Sequence, residues 1–439
     1  MANIFARSPY IININVSGQI GSKIQIFLWN GTGSAPATPQ YTLSKLIPSS
    51  TNTATNYDIA PYIREYLSHS APQEAEVGLF LSLNQTTWCN VKVVKYKLVG
   101  TTYSLISAFT VVHTLEAYAF DGYSFYESGS NYDYGRFLLE QKEHFYDEDA
   151  TYVGDVAAYL NTNELVRYID TNTTTTITGV TLNVNLSSEV TTLTKTGRYI
   201  LLPGELLRFT YVNALAESTT WVGTVLTCTY NSGTDTTTIT PDFLGLPVET
   251  DGLALTNRVV TTLDSSYYQV PSSKWHAVSR ISGTKNTLQI LSSTYTKLAT
   301  WTFTPVCEPK YTPVVIDFIN KYGAWQKEYF FKSSKNTLAI ESSDYNVMQS
   351  SVSNYDILQG QKKSFNTNGK ETISVNSGYV TEDFSSNIKQ ILLSERILVD
   401  NKPAICRTKS LELIKNINNH MINYSLEFEF AYNTINNVI

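Results

Sequence analysis

Charge is what this chain has least of. Only 16% of its 439 residues are Asp, Glu, Lys or Arg, against about 25% in a typical soluble protein. Its 32 basic residues fall short of its 38 acidic ones. The formal charge of −6 lacks the excess of Lys and Arg that draws a protein to phosphate backbones, so no direct nucleic-acid partner is expected. Cysteine is scarce too. Cys89, Cys228, Cys307 and Cys406 are isolated singletons without a C-x-x-C pair, which argues against a zinc site or a redox motif. All four are expected to be reduced, partly buried core residues. Long hydrophobic runs are missing: no stretch approaches the roughly 20 apolar residues of a membrane-spanning helix. The first ten residues hold no apolar run of signal-peptide length and are broken by Pro9, so secretory export by that route is not expected.

What is present is aromatic and uncharged. Aromatics make up 12% of the chain, with 30 tyrosines, and 42% of residues are hydrophobic. That hydrophobicity excludes a disordered chain. Thr, Ser, Asn, Tyr and Val, the residues of strands and turns, outweigh the Ala, Glu, Lys and Leu of coiled coils and helical solenoids. The length suits two to four domains of roughly 100 to 200 residues. The predicted fold is mainly β, with several antiparallel sandwich-like domains and a few short flanking helices.

Period-two alternation carries the detail. Ile12, Ile14 and Val16 alternate with Asn13 and Asn15; Ile24, Ile26 and Leu28 follow the turn at Gly18 to Gly21; Val77, Leu79, Leu81 and Leu83 form a further stripe. Strands are expected again over Val91 to Leu98 and Phe109 to Leu115. Asp58 is placed to cap a short helix with Pro61 in its first turn, and Ile59, Ile63, Tyr66 and Leu67 share one face. Residues 1–115 therefore read as an N-terminal sandwich. Residues 116–310 form an aromatic-rich middle region containing a Thr-rich β insertion at about 172–262. Residues 311–439 read as a C-terminal sandwich, with Val314 to Ile319 as a core strand. Phe384, Ile388, Ile391 and Leu392 mark one face of a helix near 382–394, capped by Thr381. A turn at Asp400 to Pro403 then reverses the chain, and Leu426, Phe428 and Phe430 point inward from the last strand.

Motifs for chemistry are few. None of His69, His113, His144, His276 and His420 sits in a metal-binding spacing, and the chain has no G-x-S-x-G elbow, Walker loop or dinucleotide fingerprint. The acidic stretch around Glu140, Glu143, Asp147, Glu148 and Asp149 is the one candidate. Two of its carboxylates could flank a sugar for hydrolysis or supply oxygens to Ca²⁺. The favoured reading is a solvated acidic loop. Likewise, Tyr118, Phe120, Tyr123, Phe125, Tyr126, Tyr132 and Tyr134 read as core and subunit contacts before a sugar platform, and Trp325 as a packing anchor beside a tight turn. No catalytic, cofactor-binding or metal residue is assigned.

The C-terminal succession Cys307-Glu-Pro-Lys-Tyr-Thr-Pro313, Phe318-Ile-Asn-Lys-Tyr-Gly-Ala-Trp-Gln326, Ser377-Gly-Tyr-Val-Thr-Glu-Asp-Phe384, Leu393-Ser-Glu395 and Asn423 to Tyr432 resembles structural proteins of tailed bacteriophages that infect Bacteroidetes. Ser8-Pro-Tyr10, Ile24 to Asn30 and Tyr57 to Tyr66 resemble the opening of the same group. The likeness covers about 1–160 and 305–439 and leaves out the Thr-rich middle. It implies a non-enzymatic building block of a tail, as a baseplate, tail-tip, collar or tube-associated ring component. It also implies a C-terminal domain similar to the sandwich-plus-helix plan of tail-tube and distal-tail proteins. The partners implied are copies of itself in a ring or tube and other tail or connector proteins, in a virion assembled in the host cytoplasm. Known tube subunits are shorter, which points to a specialised component. The alternatives are a peripheral receptor- or carbohydrate-binding tail protein, with a host surface glycan as partner, and a glycan-degrading tail enzyme.

Overall fold

In the computed structural model of the chain, strands dominate, and the described residues contain two short α-helices. Those residues are 3–31, 33–47, 54–69, 78–81, 88–111, 118–124, 137–140, 143–147, 156–185, 190–199, 201, 203, 206–212, 218–242, 258–269, 274–279, 286–293, 296–307, 311–348, 358, 360–410 and 421–435.

The N-terminal part contains β1 (Asn3–Phe5), β2 (Ile11–Asn15), β3 (Gly21–Trp29), β4 (Tyr41–Leu46), β5 (Ala54–Asp58), α1 (Ala60–Tyr66), β6 (Gly78–Leu81), β7 (Trp88–Val99), β8 (Thr102–Val111) and β9 (Tyr118–Phe120). One sheet runs β1-β9-β7-β3-β4, with β8 also on β7, while β2 and β5 form a separate antiparallel pair. The alternation works as expected. Ile12 and Ile14 from the pair, Ile24, Ile26 and Leu28 from β3, and Ile59 and Ile63 beside and within α1 meet in one core. The N-cap of α1 is Ile59, with Pro61 in the first turn and no side-chain cap. Asp58 sits one residue further out than a capping position. Its Oδ1 accepts hydrogen bonds from the Ala60 N–H at 3.1 Å and the Tyr10 N–H at 3.0 Å, tying β2 to the helix start. The stripe around Leu79 and Leu81 does not join the first sheet. β6 pairs with a strand from the middle region, and Val77 and Leu83 lie outside the described residues.

The middle part contains β10 (Glu143–Asp147), β11 (Val156–Leu160), β12 (Leu165–Asn185), β13 (Val190–Thr196), β14 (Leu206–Val212), β15 (Ser218–Asn231), β16 (Thr236–Asp242), β17 (Arg258–Gln269), β18 (Lys274–Ser279), β19 (Asn286–Leu291) and β20 (Lys297–Val306). The Thr-rich segment closes on itself. β12-β13-β16-β15-β14-β17 form consecutive antiparallel pairs and β17 returns to β12, which makes a six-stranded barrel without a free edge. Val180, Leu193, Val225 and Ile239 are buried in it. The first six residues of the 21-residue β12 also pair with β19. One strand thus joins the barrel to β19, β20 and β10. A three-stranded sheet, β11-β18-β6, completes this part.

The C-terminal part contains β21 (Val314–Ile319), β22 (Trp325–Phe330), β23 (Ser333–Asn346), β24 (Lys362–Thr381), α2 (Ser385–Leu393), β25 (Ile397–Val399), β26 (Lys402–Cys406) and β27 (Met421–Asn433). They form one antiparallel sheet in the order β22-β21-β25-β26-β27-β24-β23. Ile388 and Ile391 of α2 are fully buried against Ile316, Phe318, Val375, Leu426 and Phe428 of the sheet. The predicted helix starts as a 3-10 turn at Glu382–Phe384 with Thr381 at its N-cap position, but the Thr381 side chain makes no capping bond. The reversal at Asp400 and Asn401 uses left-handed φ values of 47° and 63°, the conformation of a two-residue hairpin turn that Asp and Asn tolerate best.

Candidate assembly surface

The hairpin of β23 and β24 carries the sheet beyond its own core. Paired residues on antiparallel strands point to the same face. The register Ser334↔Val375, Asn336↔Ile373, Leu338↔Glu371 and Ile340↔Gly369 therefore places Leu338 and Ile340 on the face that buries Val375 and Ile373. Nothing covers them there among the described residues, and they remain 50% and 66% exposed. All fourteen residues of β23 are exposed, as are Tyr345, Phe365 and Met348 towards the tip. Tyr345 and Phe365 hold the far end together as an edge-to-face pair with centroids 5.5 Å apart. Ion pairs Lys370–Glu341 at 3.0 Å and Lys362–Asp344 at 2.9 Å join the strands, though surface pairs of this kind contribute little. Leu338 and Ile340 are thus apolar strand residues that stay exposed to water.

The arm leaves a sheet anchored to the rest of the molecule by a second feature, a polar joint. The turn Asn320–Gly323 meets the turn after β9 so closely that neither position tolerates a side chain: a Cβ on Gly122 would lie 2.6 Å from the Lys321 carbonyl oxygen, and one on Gly323 2.8 Å from the Asp121 nitrogen. Tyr123 N–H donates to that carbonyl at 2.7 Å. Beside this contact Arg7 grips Asp121 with two hydrogen bonds of 3.0 Å, and His69 Nε2 lies 2.9 Å from the same carboxylate. Arg7 also donates to the Leu393 carbonyl at the end of α2 at 3.1 Å, and Arg64 of α1 holds Glu395 at 2.5 Å. Burial alone would raise the Asp121 carboxyl, but the hydrogen bonds from His69 and Arg7 and the Arg7 charge outweigh it and bring it down to about 2. Deeper in, Gln326 Nε2 and Asn387 Nδ2 both donate to Glu328 Oε1, at 2.8 and 2.5 Å, and Lys321 N–H donates to Gln390 at 3.0 Å. These bonds satisfy polar groups buried between β22 and α2.

The acidic stretch is drawn into the same framework. Glu140 pairs with Lys321 and accepts from Ser386 Oγ at 3.0 Å. Glu143 lies on β10 and accepts from Thr304, while Asp147 ends that strand and Glu148 and Asp149 lie outside the described residues. The structure therefore places Glu143 and Asp147 on a strand rather than in a solvated loop. Among the described residues no group of three metal-ligating side chains comes together. Tyr118 and Phe120 are buried with Trp88, Tyr159 and Phe5; Tyr123 is half-buried beside the joint, and Phe125, Tyr126, Tyr132 and Tyr134 lie outside the described residues. Trp325 is half-buried at the start of β22, next to the Asn320–Gly323 turn. Cys89 is buried, Cys228 and Cys406 are half-buried, and none of the four cysteines is in a disulfide; Cys307, expected in the core, is exposed. No helix among the described residues is long and apolar enough to cross a membrane.

No family model, curated protein or solved structure matches the chain.

Proposed function

We propose that this protein is a non-enzymatic structural subunit of a bacteriophage tail, acting by assembly with copies of itself and with other tail components in the virion. The observation that carries the assembly reading is the β23–β24 arm, a sheet edge left exposed among the described residues, with Leu338 and Ile340 exposed on one face and Tyr345 and Phe365 on the other. A chain with so few charges keeps such surfaces at a cost unless neighbours cover them. Long open edges are otherwise shortened or blocked in free proteins, because their N–H and C=O groups pair with any strand that arrives. Of the carboxylates considered for sugar hydrolysis, Glu140 is bound to Lys321 and Ser386 and Glu143 to Thr304, which supports a non-catalytic role for these two. The tail assignment itself rests on the sequence likeness given above.

The test is electron microscopy of the purified chain and of particles that contain it. Closed or stacked assemblies with the C-terminal sheet at subunit contacts are expected. A chain absent from tails, or present with the β23–β24 arm facing solvent, overturns the reading.

A further inference from the structure

We infer that the occupant of the β23 edge is β23 of a second copy, paired antiparallel about a two-fold axis at Leu338. The inference rests on the reading of the arm as an assembly surface and names its partner. Of the two outer strands of the C-terminal sheet, β22 packs beside β10. β23 has no strand on its outer side among the described residues. Head-to-tail continuation of this sheet from one copy to the next would need both edges open, whereas a two-fold contact needs β23 alone.

The strand is built for such pairing. β23 runs 14 residues without proline. The one irregularity of the hairpin, between Glu341 and Ser343, places its extra residue on β24 near Asn366, whose φ is 50°. Side chains of β23 therefore alternate without interruption. In an antiparallel self-pairing centred on Leu338, each residue meets the one equally far on the other side of the centre. Lys335 then faces Glu341 of the second copy, and Lys332, just before the strand, faces Asp344. This is the only centre that opposes both pairs of unlike charge. The same register sets Leu338 against its own copy, with Ile340 flanking it. The exposed apolar stripe of one arm then continues into the other, on the face that already buries Val375 and Ile373. Cross-strand pairs of this kind select register.

Three exposed positions test it. Leu338→Cys, in a Cys307→Ser background, should form a disulfide-linked dimer under oxidised glutathione, because directly opposed strand residues lie at about 4.5 to 5.5 Å between Cα atoms, within disulfide reach. Lys335→Glu and Glu341→Lys should each weaken dimerisation by at least about tenfold in sedimentation, through like-charge opposition. The double variant should regain wild-type association. Circular dichroism on each variant should match wild type. If the parent chain associates but Leu338→Cys does not cross-link, or the double variant fails to recover, the two-fold pairing is overturned while the assembly reading stands. A parent chain that stays monomeric overturns both.

Discussion

Asp121 shows how one side chain decides the joint. It is buried, and it receives Arg7 from the N-terminal segment and His69 from beyond α1. Asp121→Asn should destabilise the chain by roughly 3 kcal/mol, because it leaves the largely buried Arg7 with only the exposed Glu395, at 3.8 Å, as counter-charge; urea denaturation measures this. The pH dependence has a definite sign. A carboxyl held at about 2, below its ordinary 3.8, contributes its full stability above the higher value and loses it as pH falls through the lower one. The difference in stability between wild type and Asp121→Asn should therefore be constant near neutrality and shrink between about pH 4 and pH 2. A difference that persists unchanged to pH 2 would show that the carboxylate charge is not what matters. Nothing in the sequence marks Asp121, which precedes a glycine in an aromatic run. Its partners lie 114 and 52 residues away, and only the fold brings them together.

At the scale of elements, α2 was legible from Phe384, Ile388, Ile391 and Leu392 spaced along one face, because the period of 3.6 follows directly from side-chain order. Ile388 and Ile391 are buried and Leu393 is 48% exposed. Ile391→Ala should cost about 2 to 5 kcal/mol through lost burial and a cavity, whereas Leu393→Ala should stay within about 0.5 kcal/mol; thermal or urea denaturation separates them. The same periodicity reading could not foresee Gln326 and Glu328. They occupy alternate positions of a strand, which from sequence alone suggests a solvated face, yet they are buried because α2 lies over them and supplies Asn387. The β23–β24 arm fails in the opposite direction, with Leu338 and Ile340 on a core face that runs past the core. Alternation tells which residues share a face, and says nothing about what covers it.

At the scale of the whole molecule, the Thr-rich barrel is attached by two strands that enter side by side. Ile169 pairs with Ser265, and the next pairing, Thr174 with Leu263, follows an irregularity. Residues 172–262 can thus be excised and replaced by a two-residue hairpin turn, leaving the ends of β12 and β17 paired with each other and β12 still on β19. The shortened chain should fold and keep its self-association. This is checked by circular dichroism together with sedimentation. Loss of folding would show that barrel closure, rather than the β19 and β20 sheet, holds the middle part together.

By itself, the sequence determined the strand-dominated class, the alternating core residues of β2, β3 and β27, the Asp400–Asn401 reversal and both helices. These are local properties, set by side-chain period and by the backbone conformations that Pro, Asp and Asn favour. Tertiary structure alone decided that β6 joins β18, that β17 returns to β12 to close the barrel, that Asp121 becomes a buried counter-ion, and that β23 has no strand on its outer side among the described residues. Each of these depends on contacts between residues far apart in the chain, and strand pairing over such distances depends on register and on what else competes for the edge. The low overall charge is a property of composition and does not mark the β23–β24 arm, which carries Lys335, Glu341, Asp344, Lys362 and Lys370; only the fold shows that Leu338 and Ile340 lie there without a cover among the described residues.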